Sequence, residues 1–323
     1  MRAIQLVSEN EGLQLVDWPL PDQKDSCKII RVSHAALNHR DLWISKGRYA
    51  GIKYPVILGS DLSGYDDENR RVLVNPGFYW GDDPRVQAKS FQILGLPENG
   101  CFAEYVSVPE PFIYMAPEHL SDIELAALPL AGITAYRALV SKCKPQQGEN
   151  LLITGIGGGV ALQILQFALA LKLNVYVSSS DDLKIDQAIQ IGALGGVNYT
   201  NSEWDSELME LTGGFDMIID SAGGDSFSKF PRLCKPAARI TLYGGTNGII
   251  SNLSPQQLFW KQISIFGSTM GSQSEFSNML DFINENKIVP IVDSVYNMAD
   301  FNSAFKRMES KQQFGKIVLN ISR

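Results

Sequence analysis

Four glycines, Gly155, Gly157, Gly158 and Gly159, follow the apolar run 151–154 and precede 160–171, a proline-free stretch of helix formers. Strand, glycine turn and helix in that order leave unpaired backbone N–H groups and the positive end of a helix dipole pointing out of the turn. The chemistry they suit is binding of a pyrophosphate, because glycine lets a ligand approach the backbone closely. Glycine-rich turns are common in α/β proteins, so the downstream spacing carries more weight. A second apolar run, 174–178, stops at Ser178, Ser179 and Ser180. That is about 20 residues beyond the glycines, where the adenosine ribose lies in a dinucleotide-binding unit. A carboxylate there would select a free 2′-hydroxyl. Hydroxyls, with Lys184 one helical turn on, suit a 2′-phosphate, so the expected cofactor is NADP(H). Asp181 and Asp182 read as the cap and first-turn charges of the following helix.

The rest of the composition narrows the class. The chain has 323 residues, enough for two domains, with 45% hydrophobic and 20% charged content. Net charge is −7 with both signs mixed and no basic stripe, which argues against a nucleic-acid partner. Cys27, Cys101, Cys143 and Cys234 form no CxxC pair, which suggests reduced thiols in a cytoplasmic protein. His34, His39 and His119 show no metal-ligand spacing. The N-terminus reads as a first strand, and the most apolar long run, 125–140, is too short and polar to span a bilayer.

Elements that must position these residues follow from periodicity. Residues 1 to about 125 read as short strands and loops, with a short helix over 38–47 ending at Gly47 and a long loop over 76–100 fit to wall a pocket. Ser121-Asp-Ile-Glu124 is a capping box, and 124–142 carries two helical segments around Pro129 and Gly132. Strands are expected at 151–154, 174–178, 216–220, 239–243 and 263–267, with helices at 182–191, 203–211 and 225–234 between them. Such alternation predicts an α/β, doubly wound parallel sheet. A helix over 273–286, a short strand near Ile291, a helix over 301–309 and a last strand from Lys316 close the chain. That strand is expected to pair with the N-terminal sheet.

Six motifs in this order resemble the medium-chain dehydrogenase/reductase superfamily, on its zinc-free quinone-oxidoreductase side. They are Leu37-Asn-His-Arg-Asp41, Leu58-Gly-Ser-Asp61, Gly100-Cys-Phe-Ala-Glu-Tyr105, Ala126-Ala-Leu-Pro-Leu-Ala-Gly-Ile-Thr-Ala-Tyr136, Gly158-Gly-Val-Ala161 and Gly315-Lys-Ile-Val-Leu319. The resemblance implies a Rossmann NADP-binding domain (126–266) inserted in a mainly-β GroES-like catalytic domain (1–125 plus 267–323), and a homodimer joined through the edge strand near 263–267. Relatives often labelled zinc-type alcohol dehydrogenases carry Cys and His where Asn38 and Ser60 stand here, and a third ligand near Leu130. Amide and hydroxyl groups are poor zinc ligands, so no bound metal is expected.

By the same resemblance, Asn38, Trp43, Tyr49, Ser60 and Asp61 surround the nicotinamide. Asn38 would hold ribose or substrate oxygen, Tyr49 would donate to that oxygen, and Trp43 would be a flat wall. Asn38 also fits a plain helix cap, and Trp43 and Tyr49 plain packing. Asp41 and Asp61 are expected in structural hydrogen bonds. Thr134, Gly158, Gly159, Val160, Ser179, Lys184, Tyr199, Gly244, Phe266, Ser268 and Lys316 are the implied cofactor contacts. Lys184 and Tyr199 would meet the 2′-phosphate, and Lys316 a phosphate or ribose. The implied activity is NADPH-dependent reduction of enones, quinones or reactive carbonyls. The alternatives are a non-catalytic NADPH sensor and a true zinc-type alcohol dehydrogenase.

Overall fold

The computed structural model describes residues 1–22 and 24–322. Contacts divide the chain into two units, 134–270 and the flanking 1–133 with 271–323. The first boundary falls inside the helix Pro129–Tyr136, so no change of composition marks it.

Unit 134–270 is a six-stranded parallel sheet. Its order is Gly195–Asn198, Asn174–Ser179, Asn150–Ile153, Phe215–Asp220, Cys234–Leu242 and Ser264–Gly267. The order reverses on either side of Asn150–Ile153, and the glycine turn leaves the carboxyl end of that strand. The helix Gly159–Ala170 follows, with Leu162, Ile164, Leu165 and Phe167 all at most 1% exposed, hence its nearly uniform apolar sequence. Helices Asp182–Ile191 and Trp204–Thr212 lie at or within one residue of their expected positions. The expected helix 225–234 is instead a 3-10 turn, Asp225–Lys229, and one helical turn, Phe230–Leu233, after which the chain turns extended at Cys234. Pro231 fits that first turn, but Pro236 lacks an N–H and forbids the helix to continue. Gly195 and Gly196 kept the outermost strand below the threshold of β-propensity, and Pro255–Lys261 forms a further helix.

The other unit is mainly β. Its largest sheet runs Ile113–Met115, Arg71–Val74, Asp61–Tyr65, Cys27–Ala36, Lys316–Asn320 and Val292–Asn297, with Tyr105–Pro109 also paired to Cys27–Ala36. The last strand thus joins the N-terminal sheet, Val318 opposite Ala36. Loop 76–100 carries a ribbon, Gly77–Phe78 with Gln92–Ile93. Trp80 and Phe91 meet edge to face at 5.2 Å, and Tyr79, Trp80, Pro84, Phe112, Ser272 and Gln273 line a cleft of about 390 Å³. The end of this loop presses on the turn at Gly59 because three glycines meet there. A Cβ on Gly100 would fall 2.1 Å from the Gly59 carbonyl oxygen, and one on Gly95 2.8 Å from it. No helix of the described residues is long and apolar enough to cross a membrane.

Candidate nucleotide turn and buried polar cluster

In unit 134–270 the expected cofactor residues collect along one edge of the parallel sheet. The glycine turn follows Ile153, Ser179 ends the strand Asn174–Ser179, Tyr199 follows Asn198, Gly244 follows Leu242, and Ser268 follows Gly267. Ligands of open α/β sheets bind outside this carboxyl edge. Gly157 has φ +119°, and a Cβ there would come within 2.8 Å of Lys184 Cδ, so the lysine side chain lies across the turn. Gly158 is the N-cap of the helix Gly159–Ala170, without a side-chain cap, and a Cβ on it would meet nothing within 4 Å. Gly159 and Val160 open that helix. Uncapped N–H groups facing open space fit a pyrophosphate. Gly244 approaches the backbone closely, its Cβ position being 2.3 Å from the Ser221 carbonyl oxygen.

Around Ser179 both carboxylates are held in structural contacts. Asp181 caps its helix by accepting from the Leu183 N–H at 3.0 Å, and Asp182 accepts from Asn198 Nδ2 at 2.9 Å. Ser179 Oγ accepts from the Asp181 N–H, and the Tyr199 N–H donates to the Ser179 carbonyl at 2.9 Å. Tyr199 is exposed and Lys184 half-buried. Phe266 pairs with Thr241, the Ser268 N–H donates to the Leu242 carbonyl, and Ser268 Oγ is buried with no hydrogen-bond partner. Thr134 is buried, its hydroxyl 3.9 Å from Met270 Sδ.

The other unit holds a cluster that the sequence only partly suggested. Asn38 caps the helix His39–Ser45, its backbone N–H donating to Asp41 Oδ2 at 2.8 Å. Its side chain turns inward. Asn38 Nδ2 donates to Asp61 Oδ2 at 2.9 Å, and Asn38 Oδ1 accepts from Lys316 Nζ at 2.6 Å. Lys316 also pairs with Asp61 Oδ2 at 2.8 Å, and the Leu130 N–H donates to Asp61 Oδ1 at 2.7 Å. Asp61 is 0% and Lys316 4% exposed. Lys316 is buried, and its ammonium donates to both Asp61 and Asn38, while the Asn38 amide is engaged at its nitrogen and its oxygen. Lys316 opens the last strand opposite Val292, and that strand also pairs with Cys27–Ala36 from Val318 on, which brings the lysine to Asn38.

Ser60 is 0% exposed, donates to the Leu94 carbonyl at 2.7 Å and accepts from Arg40 Nη1 at 2.6 Å. Arg40 Nη1 donates as well to the Leu94 carbonyl at 2.9 Å, and the guanidinium lies 5.5 Å from the centre of the Tyr49 ring. Tyr49 is exposed, and Trp43 is half-buried with the Arg48 guanidinium 5.9 Å from its ring. Arg40 carried no expectation in the sequence; it joins this cluster through Ser60 and the Leu94 carbonyl.

Asp41 is fully buried with Oδ1 unpaired, and desolvation raises its carboxyl to about 6, against the opposing charge of Arg40. A carboxyl raised on folding contributes stability that is complete below its unfolded value near 4 and is lost as pH rises through 6. A shift of about two units corresponds to roughly 3 kcal/mol. Asp41→Asn, which stays neutral, should flatten the stability profile between those pH values; urea unfolding at a series of pH values measures it, and an unchanged slope would count against the raised carboxyl.

The comparisons agree with this architecture. Residues 24–118 match the model of the alcohol dehydrogenase GroES-like domain, and 159–285 that of the zinc-binding dehydrogenase family. The zinc-type alcohol dehydrogenase-like protein YogA of Leptosphaeria maculans is 36% identical, over 96% of this chain and 94% of the relative. Quinone oxidoreductase-like protein 2 of Bos taurus is 27% identical, over 94% and 87%. A crystal structure of an NAD-dependent alcohol dehydrogenase, 31% identical, superposes over all of both chains with a TM-score of 0.93. The chain belongs to the medium-chain dehydrogenase/reductase superfamily and is an oxidoreductase of the kind that uses a nicotinamide dinucleotide.

Proposed function

We propose that the protein is a zinc-independent, NADPH-dependent reductase of enones, quinones or reactive carbonyls. One observation carries the metal-free part. Asn38 and Ser60, which stand where related enzymes have zinc ligands, each accept a hydrogen bond from a cation, Lys316 and Arg40. Their oxygens are neutral, and a divalent ion would have to displace an ammonium and a guanidinium to reach them. Among the described residues no group of three or more His, Cys, Asp or Glu side chains could hold a metal. The residues present therefore do not fit catalytic zinc.

A nicotinamide dinucleotide fits the uncapped helix start at Gly158, and when bound it supplies hydride. Lys184 across the glycine turn, with Asp181 and Asp182 occupied as structural acceptors, favours the phosphorylated form. Some relatives are named for NAD, so the cofactor must be measured. Purified protein is mixed with NADPH or NADH and a panel of enones, quinones and aldehydes, and nicotinamide absorbance is followed. Turnover with NADPH and without added metal is expected. Bound cofactor with no turnover of any acceptor would favour a non-catalytic sensor, and activity that needs zinc would favour an alcohol dehydrogenase.

The same reading includes a homodimer joined along Ser264–Gly267. That strand is an uncovered sheet edge, and Phe259 and Trp260 are 59% and 79% exposed on the helix before it. Trp260→Asp with Phe259→Asp should shift the protein to monomer on a sizing column with light scattering. A dimer indifferent to both changes would move the interface elsewhere.

A further inference from the structure

We infer that Asp220 is a positioning residue for the nicotinamide half of the dinucleotide. It holds two turns of the carboxyl edge against the glycine turn, so that the crevice between them is set before the cofactor arrives. This rests on the reading of that edge as the cofactor site.

Asp220 ends the strand Phe215–Asp220, which pairs with Asn150–Ile153 where the strand order reverses. In such a sheet a dinucleotide lies across the crevice at the reversal, with adenosine over the half that carries the glycine turn and nicotinamide over the other. Here that other half is Phe215–Asp220, Cys234–Leu242 and Ser264–Gly267. Asp220 is 2% exposed, and both of its carboxylate oxygens are taken. Oδ1 accepts from the Thr154 hydroxyl at 2.5 Å, and Oδ2 from the Ala222 and Gly223 N–H groups at 3.1 and 2.7 Å. Thr154 stands between the end of the strand Asn150–Ile153 and the first glycine, Gly155. The bond to it therefore ties the base of the glycine turn to the opposite half of the sheet. The bonds to Ala222 and Gly223 fold the chain back in a tight turn, in which Gly223 has φ +65° and Gly224 φ +70°.

That turn supports the next one. The Asn247 N–H donates to the Ala222 carbonyl at 2.8 Å, and the Gly224 N–H to the Gly248 carbonyl at 3.2 Å. A Cβ on Gly244 would fall 2.3 Å from the Ser221 carbonyl oxygen, and one on Gly155 3.2 Å from Ser221 Oγ. Residues 221–224 are thus wedged between the glycine turn and 243–248, and one carboxylate fixes them. The adenosine half has supports of its own: the Ile156 N–H donates to the Ser178 carbonyl at 2.9 Å, and Asp181 caps the helix that follows. With both oxygens occupied, Asp220 acts on the cofactor through these turns and not by contact. Loss of its bonds lowers the fraction of molecules in which the crevice is set, and apparent affinity falls with that fraction.

The test uses full-length Thr154→Val, Asp220→Ala and Asp220→Asn. Valine keeps the shape of Thr154 and removes only the hydroxyl. Asparagine can keep every bond, its oxygen accepting from the turn and its amide donating to the Thr154 oxygen, whereas alanine keeps none. Three quantities are read: Kd of whichever reduced nucleotide the wild type binds more tightly, NADPH or NADH; Kd of the matching fragment without nicotinamide, 2′-phospho-ADP-ribose or ADP-ribose; and the fluorescence anisotropy of the bound nicotinamide. Kd of the whole nucleotide should rise about 10-fold in Thr154→Val and about 30-fold in Asp220→Ala, with lower anisotropy, while that of the fragment rises about 3-fold or less. Asp220→Asn should stay within about 3-fold of the wild type for both. Equal losses for nucleotide and fragment would mean a merely structural carboxylate; that result, or wild-type values in Thr154→Val and Asp220→Ala, overturns the inference and leaves the cofactor site standing. A wild type that binds neither nucleotide overturns the cofactor reading and the inference with it.

Discussion

Lys316→Met lowers the stability of the mainly-β unit by about 3–5 kcal/mol, because it leaves the Asp61 carboxylate enclosed without its cation. The pair has no solvent to fall back on: the side chains of Lys316 and Asp61 are 5% and 0% exposed. The Leu130 N–H and Asn38 Nδ2 still donate to Asp61, so the loss stays below that of a wholly bare charge. At about 2–4 °C per kcal/mol the first melting transition should fall by roughly 10 °C. Lys316→Met with Asp61→Asn removes both charges and should recover much of the loss. Differential scanning calorimetry of the two variants measures this; a single variant that melts with the wild type would mean water reaches the cluster. Nucleotide affinity should be unaffected, because Lys316 is engaged inside its own unit. A lysine that instead met a phosphate would weaken NADPH binding on the same substitution.

Lys184→Glu is expected to weaken NADPH about 10–100-fold while changing NADH little, the size of one or two charge-assisted hydrogen bonds to a phosphate. The lysine lies across the glycine turn, with its Nζ 3.4 Å from the Cβ position of Gly157. Its helix is capped by Asp181 and does not need the charge at this position. Fluorescence titration with both nucleotides separates the outcomes. Equal losses for NADPH and NADH would place Lys184 at the shared pyrophosphate, and no loss for either would remove it from the cofactor contacts.

The nucleotide half was legible because it is local. Strand, glycine turn, apolar helix and second strand are consecutive, and each follows from period and propensity over a dozen residues. The capping roles of Asp181 and Asp182 were legible for the same reason. Helices Gln273–Asn286 and Phe301–Glu309 fall where periodicity put them. Failures came where local chemistry was ambiguous. Gly195–Asn198 has Val197 as its single strand former, and 225–234 has helical composition but the chain turns extended at Cys234, ahead of Pro236.

By itself the sequence determined the alternation that builds the parallel sheet and the return of the last strand to the first sheet, and its family resemblance implied an amide and a hydroxyl at Asn38 and Ser60 where relatives carry metal ligands. Only the tertiary structure decided what those replacements touch. Asn38, Asp61 and Lys316 are separated by up to 278 positions, yet they meet because Lys316–Asn320 pairs with Cys27–Ala36. Ser60 and Arg40 are joined to Leu94 because three glycines let one loop press against another. Residue types are written along the chain, but the partner of a buried charge is chosen by non-local strand pairing and close backbone approach. Neither leaves a periodic trace.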